Sequence, residues 1–550
     1  MNRKLFGFLV LFLGGMILFA GGGQQSTPSG SVSSSVYSSV VTAPGEFPIV
    51  KSSYTMKIFA IQPATIENFV TNELTLAYEK RTGVKIEWEV APGNAGAERR
   101  NLSLVSGDYP DIYLGSSITK EDEIIYGSQG VFLPLNRLIE MYSPNVIESF
   151  EEIPYTKSLI TAPDGNIYSL PMMSTAIHTQ YPNKLWMNST WLKNLNLKEP
   201  ATTEEFYQVL RAFKDRDPNG NGSGRNIIPF FCTDNKGSHF VTFFMNSFIQ
   251  CDQDLRYVTD DEKIQFAFDK PLFREGLRYI RRLVSEGLID ETSFSAAGEQ
   301  LRRIADNPGD MILGSTVQLS PSGFMDQNGE KQRHYNSVAP LAGPNGVRSA
   351  IYNPSAFITT GAFVITKNMK NPEVACRWID YFYTWEGALE ARIGRENHEW
   401  YRAGPNELSY SGLPARWGKL TAISSVQNVC WSQWGMGQFN RHDRQTASND
   451  IYIPEGLEKR LFDATSINYM PYMPKKSIPP LYISSDVVRR INQPLNDVRN
   501  YVQESIVRFA TGDLNLDRDW DSYVANYQRM GVNDILTAYQ GAYDSFLKNR

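Results

Sequence analysis

Between Tyr54 and Leu114 the chain alternates strand, helix, strand, helix and strand in about sixty residues. Tyr54 to Ile61 (YTMKIFAI) reads as a strand, and Ile66 to Lys80 has helical apolar spacing. Val84 to Val90 (VKIEWEV) alternates as a second strand. A helix carrying Leu102, Leu104 and Val105 ends at Gly107, and Asp111 to Leu114 (DIYL) is a short buried strand. This order predicts an open α/β unit with a mostly parallel sheet. Ligands of such sheets sit outside the carboxyl ends of the strands. That selects Gln62, Ser116 and Ser117, although each taken singly is also ordinary loop polarity.

That unit uses only part of a 550-residue chain. At roughly 100–200 residues per domain, two to four domains are expected. Hydrophobic residues at 41% and charged residues at 21% exclude a wholly disordered chain. A net charge of −5 with no Lys/Arg block argues against a nucleic-acid partner, because a basic face supplies most of that affinity. Aromatic residues at 12% fit either large cores or stacking surfaces for flat, hydroxyl-rich ligands. Cys232, Cys251, Cys376 and Cys430 show no CxxC spacing, so a zinc site is not expected. Buried free thiols are preferred over disulfides, with both left open.

The amino terminus reads Met1-Asn2-Arg3-Lys4 followed by an apolar run from Leu5 to Phe19 and then Ala20. This is a secretory signal pattern covering residues 1–20, short for a membrane-spanning helix. An uncleaved inner-membrane anchor is the alternative. No cysteine lies near the boundary to take a lipid. Residues 21–48 are rich in Gly, Ser, Gln, Thr and Pro and read as a flexible leader. The expected location is periplasmic or otherwise extracytoplasmic.

Further along, Pro163-Asp164-Gly165 is a turn leading into Ile167 to Pro171. Thr202 and Glu205 form a capping box ahead of a helix with Phe206, Val209, Leu210 and Phe213 on one face. A helix from Pro271 to Glu286 turns Phe273, Leu277, Ile280, Leu283 and Val284 inward. Ala362 to Ile365 is strand-like. Asn371-Pro372 opens a helix with Val374, Ala375, Trp378, Ile379 and Phe382 on one side. From Ser485 onward the pattern is mostly helical.

Catalytic signatures do not appear. There is no phosphate-binding loop, no G-x-S-x-G elbow, and His398-Glu399 has no second histidine at zinc-protease spacing. The five histidines are scattered. No catalytic residue is assigned, and an enzyme is not supported.

The most specific segment runs from Lys214 to Gly222. Asp217, Asn219, Asn221 and Gly222 match the start of a D-x-[DN]-x-[DN]-G calcium loop, with Ser223 next in line. Alternate oxygen side chains can fold onto a hard cation, and the glycine allows the sharp turn. The twelfth position is Ile228, so the closing bidentate glutamate is absent. The other reading is a turn in which Asp217 and the asparagines hydrogen-bond the local backbone.

From about Tyr54 to the end the chain resembles the extracellular solute-binding proteins of carbohydrate ABC transporters, in the LipO-like branch. The carrying motifs are LSLVSGDYPDI (102–112), GVFLPLNRLI (130–139), DGNIYSLP (164–171), residues 185–222 including WLKNLNLKEPATTEEFYQVLRAFKDRDPNGNG, and FREGLRYIRRLVSEGLID (273–290), joined by residues 362–389 and 519–546. The resemblance implies an α/β fold of two hinged lobes (type II) with a helical carboxyl-terminal region. It places residues 49–174 and 358–410 in one lobe and 175–357 and 411–550 in the other. It implies a monomeric receptor that closes on a carbohydrate, with an oligosaccharide expected from the long branch, and delivers it to permease subunits in another chain. Sensing or glycan adhesion without transport, and a secreted carbohydrate-active enzyme, are the competing classes. In the family's calcium loop an acidic pair follows the Asn-Gly, where this chain has Arg225 and Asn226. Calcium is therefore at most a structural ion here, and no cofactor is required.

The ligand-site candidates are Gln62, Ser116, Ser117, Thr175 just past the Leu170-Pro171 crossing, and Thr316 after Met311-Ile312-Leu313. Trp400, Trp431 and Trp434 are aromatic candidates, for which core packing and ligand stacking both stay open. Arg395 and Glu396, near Trp400, are polar candidates. Trp191 and Trp378 sit on periodic apolar faces and are expected in cores.

Overall fold

The computed structural model describes residues 40–548 apart from positions 64, 94, 116–117, 154, 223–225, 234–238, 421–425, 433–434, 440–444 and 447–449. The signal-like segment and most of the leader lie outside it.

The first lobe is built on a six-stranded sheet. Its order is Gln438–Phe439, Leu170–Ser174, Ile358–Ile365, Ile112–Leu114, Tyr54–Gln62 and Val84–Pro92. Tyr54–Gln62 and Val84–Pro92 pair in parallel along their whole length, as the alternating pattern predicts. Only Ile358–Ile365 runs against the others. Its register shifts between Thr359 and Phe363. Gly361 sits there at φ +66°, and a Cβ would come within 1.8 Å of the Ile118 carbonyl oxygen, so only glycine fits. The first helix starts later than its apolar spacing suggests, at Glu73–Thr82. Asn72 caps it by accepting the Leu74 amide at 3.2 Å. The preceding turns are held as a loop because the Gln62 side chain donates to the carbonyls of Ile66 and Glu67.

The second lobe centres on the antiparallel strands Ser315–Gln318, Lys184–Asn188 and Tyr335–Val338. Parallel bridges at Ile228–Leu313 and Phe230–Ile289 widen this sheet. Thr202 and Glu205 form the expected capping box of the helix Thr203–Asp215. The helix Pro271–Ser285 buries Phe273, Leu277, Ile280, Leu283 and Val284. The helices Ser485–Thr511, Trp520–Arg529 and Val532–Lys548 complete this core.

The two largest cores are separate. One holds Ile58, Ile112, Phe363 and Trp378, the other Leu185, Trp191, Phe206, Leu283, Val317 and Ile506. The sequence reading ended the first lobe at residue 410, and the packing moves that boundary. Trp431 and Met436 are in the first core, and Phe439 packs with Trp417 and Trp400 beside it. The physical cause is edge pairing, since Gln438 and Phe439 extend the first sheet against Met173 and Ser174. The chain is back in the second lobe by Asp450, which pairs with Arg333 at 3.0 Å. All four cysteines are buried thiols, none of them in a disulfide.

A further contact ties the halves together. Residues 473–484 leave the second lobe and carry Tyr482 to the helix Lys120–Ser128 of the first. The Tyr482 hydroxyl donates to Glu123 Oε2 at 2.8 Å, and Ser169 Oγ donates to Glu123 Oε1 at 2.5 Å. Lys120 Nζ lies 3.6 Å from the centre of the Tyr482 ring. Burial raises the Glu123 carboxyl above its usual range and lowers Lys120 to about 8.

Candidate functional site

Five of the six strands of the first sheet run the same way, so their carboxyl ends share one edge. The chain leaves that edge at Ser174–Thr175 and returns to it at Phe357, whose carbonyl accepts the Ser174 amide at 2.8 Å. In the second lobe, residues 228–231 and Ser315–Gln318 run parallel and end at Thr233 and Gln318. Lys184 enters opposite Gln318. The carboxyl ends of both sheets therefore converge on the same passages. The passages are bonded to each other, with Gln180 Nε2 donating to the Pro354 carbonyl at 3.0 Å and Asn353 N to the Gln180 carbonyl at 2.8 Å. A ligand held at these strand ends would touch both lobes at once.

Lys184 is fully buried where the first of these passages ends. Its ammonium donates to the carbonyls of His178 and Tyr181 at 2.9 and 2.5 Å. Burial pushes its pKa down to about 7. His178 Nδ1 lies 4.0 Å from Glu458 Oε2.

Gln62 ends its strand at the shared edge, with its amide donors engaged by Ile66 and Glu67. Ser116 and Ser117 lie outside the described residues. Their neighbours Gly115 and Ile118 donate to the carbonyls of Ala362 and Gly361 at that edge. Thr175 is half-buried on the passage, and its amide donates to the Phe439 carbonyl at 3.0 Å.

Thr316 does not end its strand. It is fully buried opposite Trp186, on the face covered by the helix Leu457–Asn468, and Gln318 holds the strand end. Trp400 is interior: its Nε1 donates to the Gly394 carbonyl at 2.9 Å and its ring packs on Trp385. Trp431 is also interior, donating to Thr75 Oγ1 at 3.1 Å. For these two indoles core packing wins over stacking on a ligand. Trp434 lies outside the described residues. Arg395 is exposed and Glu396 half-buried, with their charges matched. Arg395 pairs with Glu73 at 2.6 Å and Glu399 at 2.9 Å, and Glu396 pairs with Arg402 at 2.8 Å.

Sequence reasoning passed over Gln318 and Gln438 at the shared edges. The rule that chose Gln62, a polar residue closing a strand, reaches Gln318 as well. A two-residue edge strand such as Gln438–Phe439 has no period to read.

The calcium-like loop turns its donors inward. Asp217 Oδ1 accepts the Gly220 amide at 3.0 Å, and Oδ2 the Gly222 amide at 2.7 Å. Asn219 Oδ1 accepts from Trp191 Nε1 at 2.9 Å, while its Nδ2 donates to the Met311 carbonyl at 3.0 Å. Asn221 Nδ2 donates to Asp310 Oδ2 at 2.8 Å. Ser223 lies outside the described residues. Calcium takes six to eight oxygens and gains affinity with ligand charge. Asp217 is the one carboxylate within residues 217–222, and the hydrogen bonds of the described residues are those of a self-capped turn. Calcium at about 1 mM, the weak end for such loops, should leave the melting midpoint where a chelator leaves it. A rise that the chelator reverses would restore the cation.

The comparisons agree with this architecture. The chain is 28% identical over 489 residues to the fructooligosaccharide ABC transporter substrate-binding protein FusA of Streptococcus pneumoniae, covering 86% of each chain. It is 22% identical over 485 residues to lipoprotein LipO of Bacillus subtilis, covering 85% of this chain and 88% of the other. The solved structure of FusA in complex with kestose superposes with a TM-score of 0.70 at 26% identity, over 90% of this chain and all of that one. The family of bacterial extracellular solute-binding proteins matches residues 60–388, more than half of the chain. Two α/β lobes whose strand ends meet at shared passages are the build of that family, and the chain belongs to it.

Proposed function

We propose that the protein captures an oligosaccharide between its lobes and hands it to an ABC permease carried on other chains. The observation that supports this most is the convergence of both sets of strand ends on the passages around Thr175, Gln180 and Pro354. The likeness to FusA, solved with kestose bound, supports a carbohydrate as cargo. A ligand that touches both walls only when they approach binds the closed state better, and that difference shifts the population toward closure. The permease then reads the closed shape. One copy suffices, since one chain supplies both walls.

Membership of an extracellular family and the likeness to a lipoprotein support work outside the cytoplasm. Among the described residues no helix is long and apolar enough to cross a membrane. We read residues 1–20 as the export signal.

Kestose titrated into the full chain should bind in calorimetry and reduce the radius of gyration in small-angle scattering. Binding of the sugar to a particle that never becomes more compact would argue for a rigid glycan-binding module. No binding by kestose or other oligosaccharides would remove the carbohydrate.

A further inference from the structure

We propose that a pocket on the edge of the first lobe holds one sugar ring of a glycan that extends out of the cleft; the inference rests on the carbohydrate reading. The pocket encloses about 250 Å³. Its walls are Glu148 and Glu152 from the helix Pro144–Glu152, Trp385 and Glu386 from the start of Trp385–Arg392, Arg416, and Gln438. Gln438 pairs with Met173 on the edge strand, and the next residue, Phe439, accepts the Thr175 amide. The pocket wall is thus one residue from the passage between the lobes.

Gln438 is only 7% exposed. Its Nε2 donates to Glu152 Oε2, while its Oε1 is buried with no hydrogen-bond partner among the described residues. A buried acceptor left unpaired is destabilising, so this wall calls for a donor from a guest. The surrounding charges narrow the guest's chemistry. Three carboxylates oppose an anion. A metal ion is opposed by Arg416 on the same wall, and no group of three His, Cys, Asp or Glu able to hold one occurs among the described residues. A neutral polyol satisfies both signs, because each hydroxyl donates to the carboxylates and to Gln438 Oε1 and accepts from Arg416. The half-buried Trp385 ring adds an apolar wall to the pocket. Arg402 and Arg416 lie 4.8 and 5.9 Å from the ring centre. The volume falls below the roughly 300 Å³ at which whole small-molecule sites begin, so it suits one ring rather than an entire ligand.

Calorimetry with kestose and the one-ring-longer nystose tests this on the full chain. The parent should bind nystose more tightly than kestose. Glu148→Gln and Arg416→Ala should each weaken nystose about tenfold, or about 1.4 kcal/mol, and leave kestose within about twofold. Arg416 is exposed, so its variant keeps the assay clear of folding defects. Nystose affinity unchanged in both variants overturns the pocket while the carbohydrate reading stands. Equal losses for both sugars also overturn it, since the residues would then act on the cleft. A parent that binds neither sugar removes the carbohydrate reading and the pocket with it.

Discussion

Trp431→Ala should lower the stability of the first lobe by about 3–5 kcal/mol, the range for truncating a large buried aromatic. For a lobe of this size that is a fall in melting midpoint on the order of 10 °C. The indole is 0% exposed. Its ring centre lies 5.1 Å from Phe382, 5.8 Å from Trp378 and 6.1 Å from Trp88. Its Nε1 holds Thr75 Oγ1, so truncation leaves both a cavity and a hydroxyl without its donor. The residue also joins a late stretch of chain to the first helix, 356 positions earlier. Urea denaturation is the measurement. A variant as stable as the parent that has lost its sugar would return this indole to the ligand.

Lys184→Met should change how stability depends on pH. In the folded chain the Lys184 pKa is pushed down to about 7 by burial, against an ordinary value of 10.5. Between these values the unfolded chain binds the extra proton, so the parent gains stability as pH rises from 7 to 10.5. At 1.36 kcal/mol per pH unit the gain is about 5 kcal/mol at most. The methionine variant lacks this slope. Its stability relative to the parent should therefore be greatest below pH 7 and fall steadily toward pH 10.5. The lost bonds to the carbonyls of His178 and Tyr181 add a constant offset that leaves the slope unchanged. Parallel curves for the two proteins would mean that the ammonium stays charged inside the fold.

The elements written in local patterns were legible. Thr202 and Glu205 announced a helix start, and the inward faces of Thr203–Asp215 and Pro271–Ser285 followed from spacing alone. Trp191 and Trp378 were placed in cores because they lay on such faces. Trp400 and Trp431 were ambiguous because no period surrounds them. Trp400 is covered through the hairpin of Trp400–Arg402 with Trp417–Lys419, whose register no local pattern fixes. The Arg395–Glu73 pair joins residues 322 positions apart, so the matching of that charge was invisible as well. The lobe boundary failed for the same reason, since a two-residue strand decides it. The shared strand-end edge was legible in the first lobe through Gln62. In the second lobe it was not, because the antiparallel pairing of Lys184–Asn188 with two distant strands sets which end faces the passage.

The grip on Tyr482 bears on how the jaws part. Its phenol hangs on a carboxylate that water does not reach, while its backbone belongs to the opposite half. A swing that moves one half against the other must either pivot about this ring or strip Glu123 of a donor at about 1–3 kcal/mol. The swivel therefore has a detent, set by a residue near the far end of the chain.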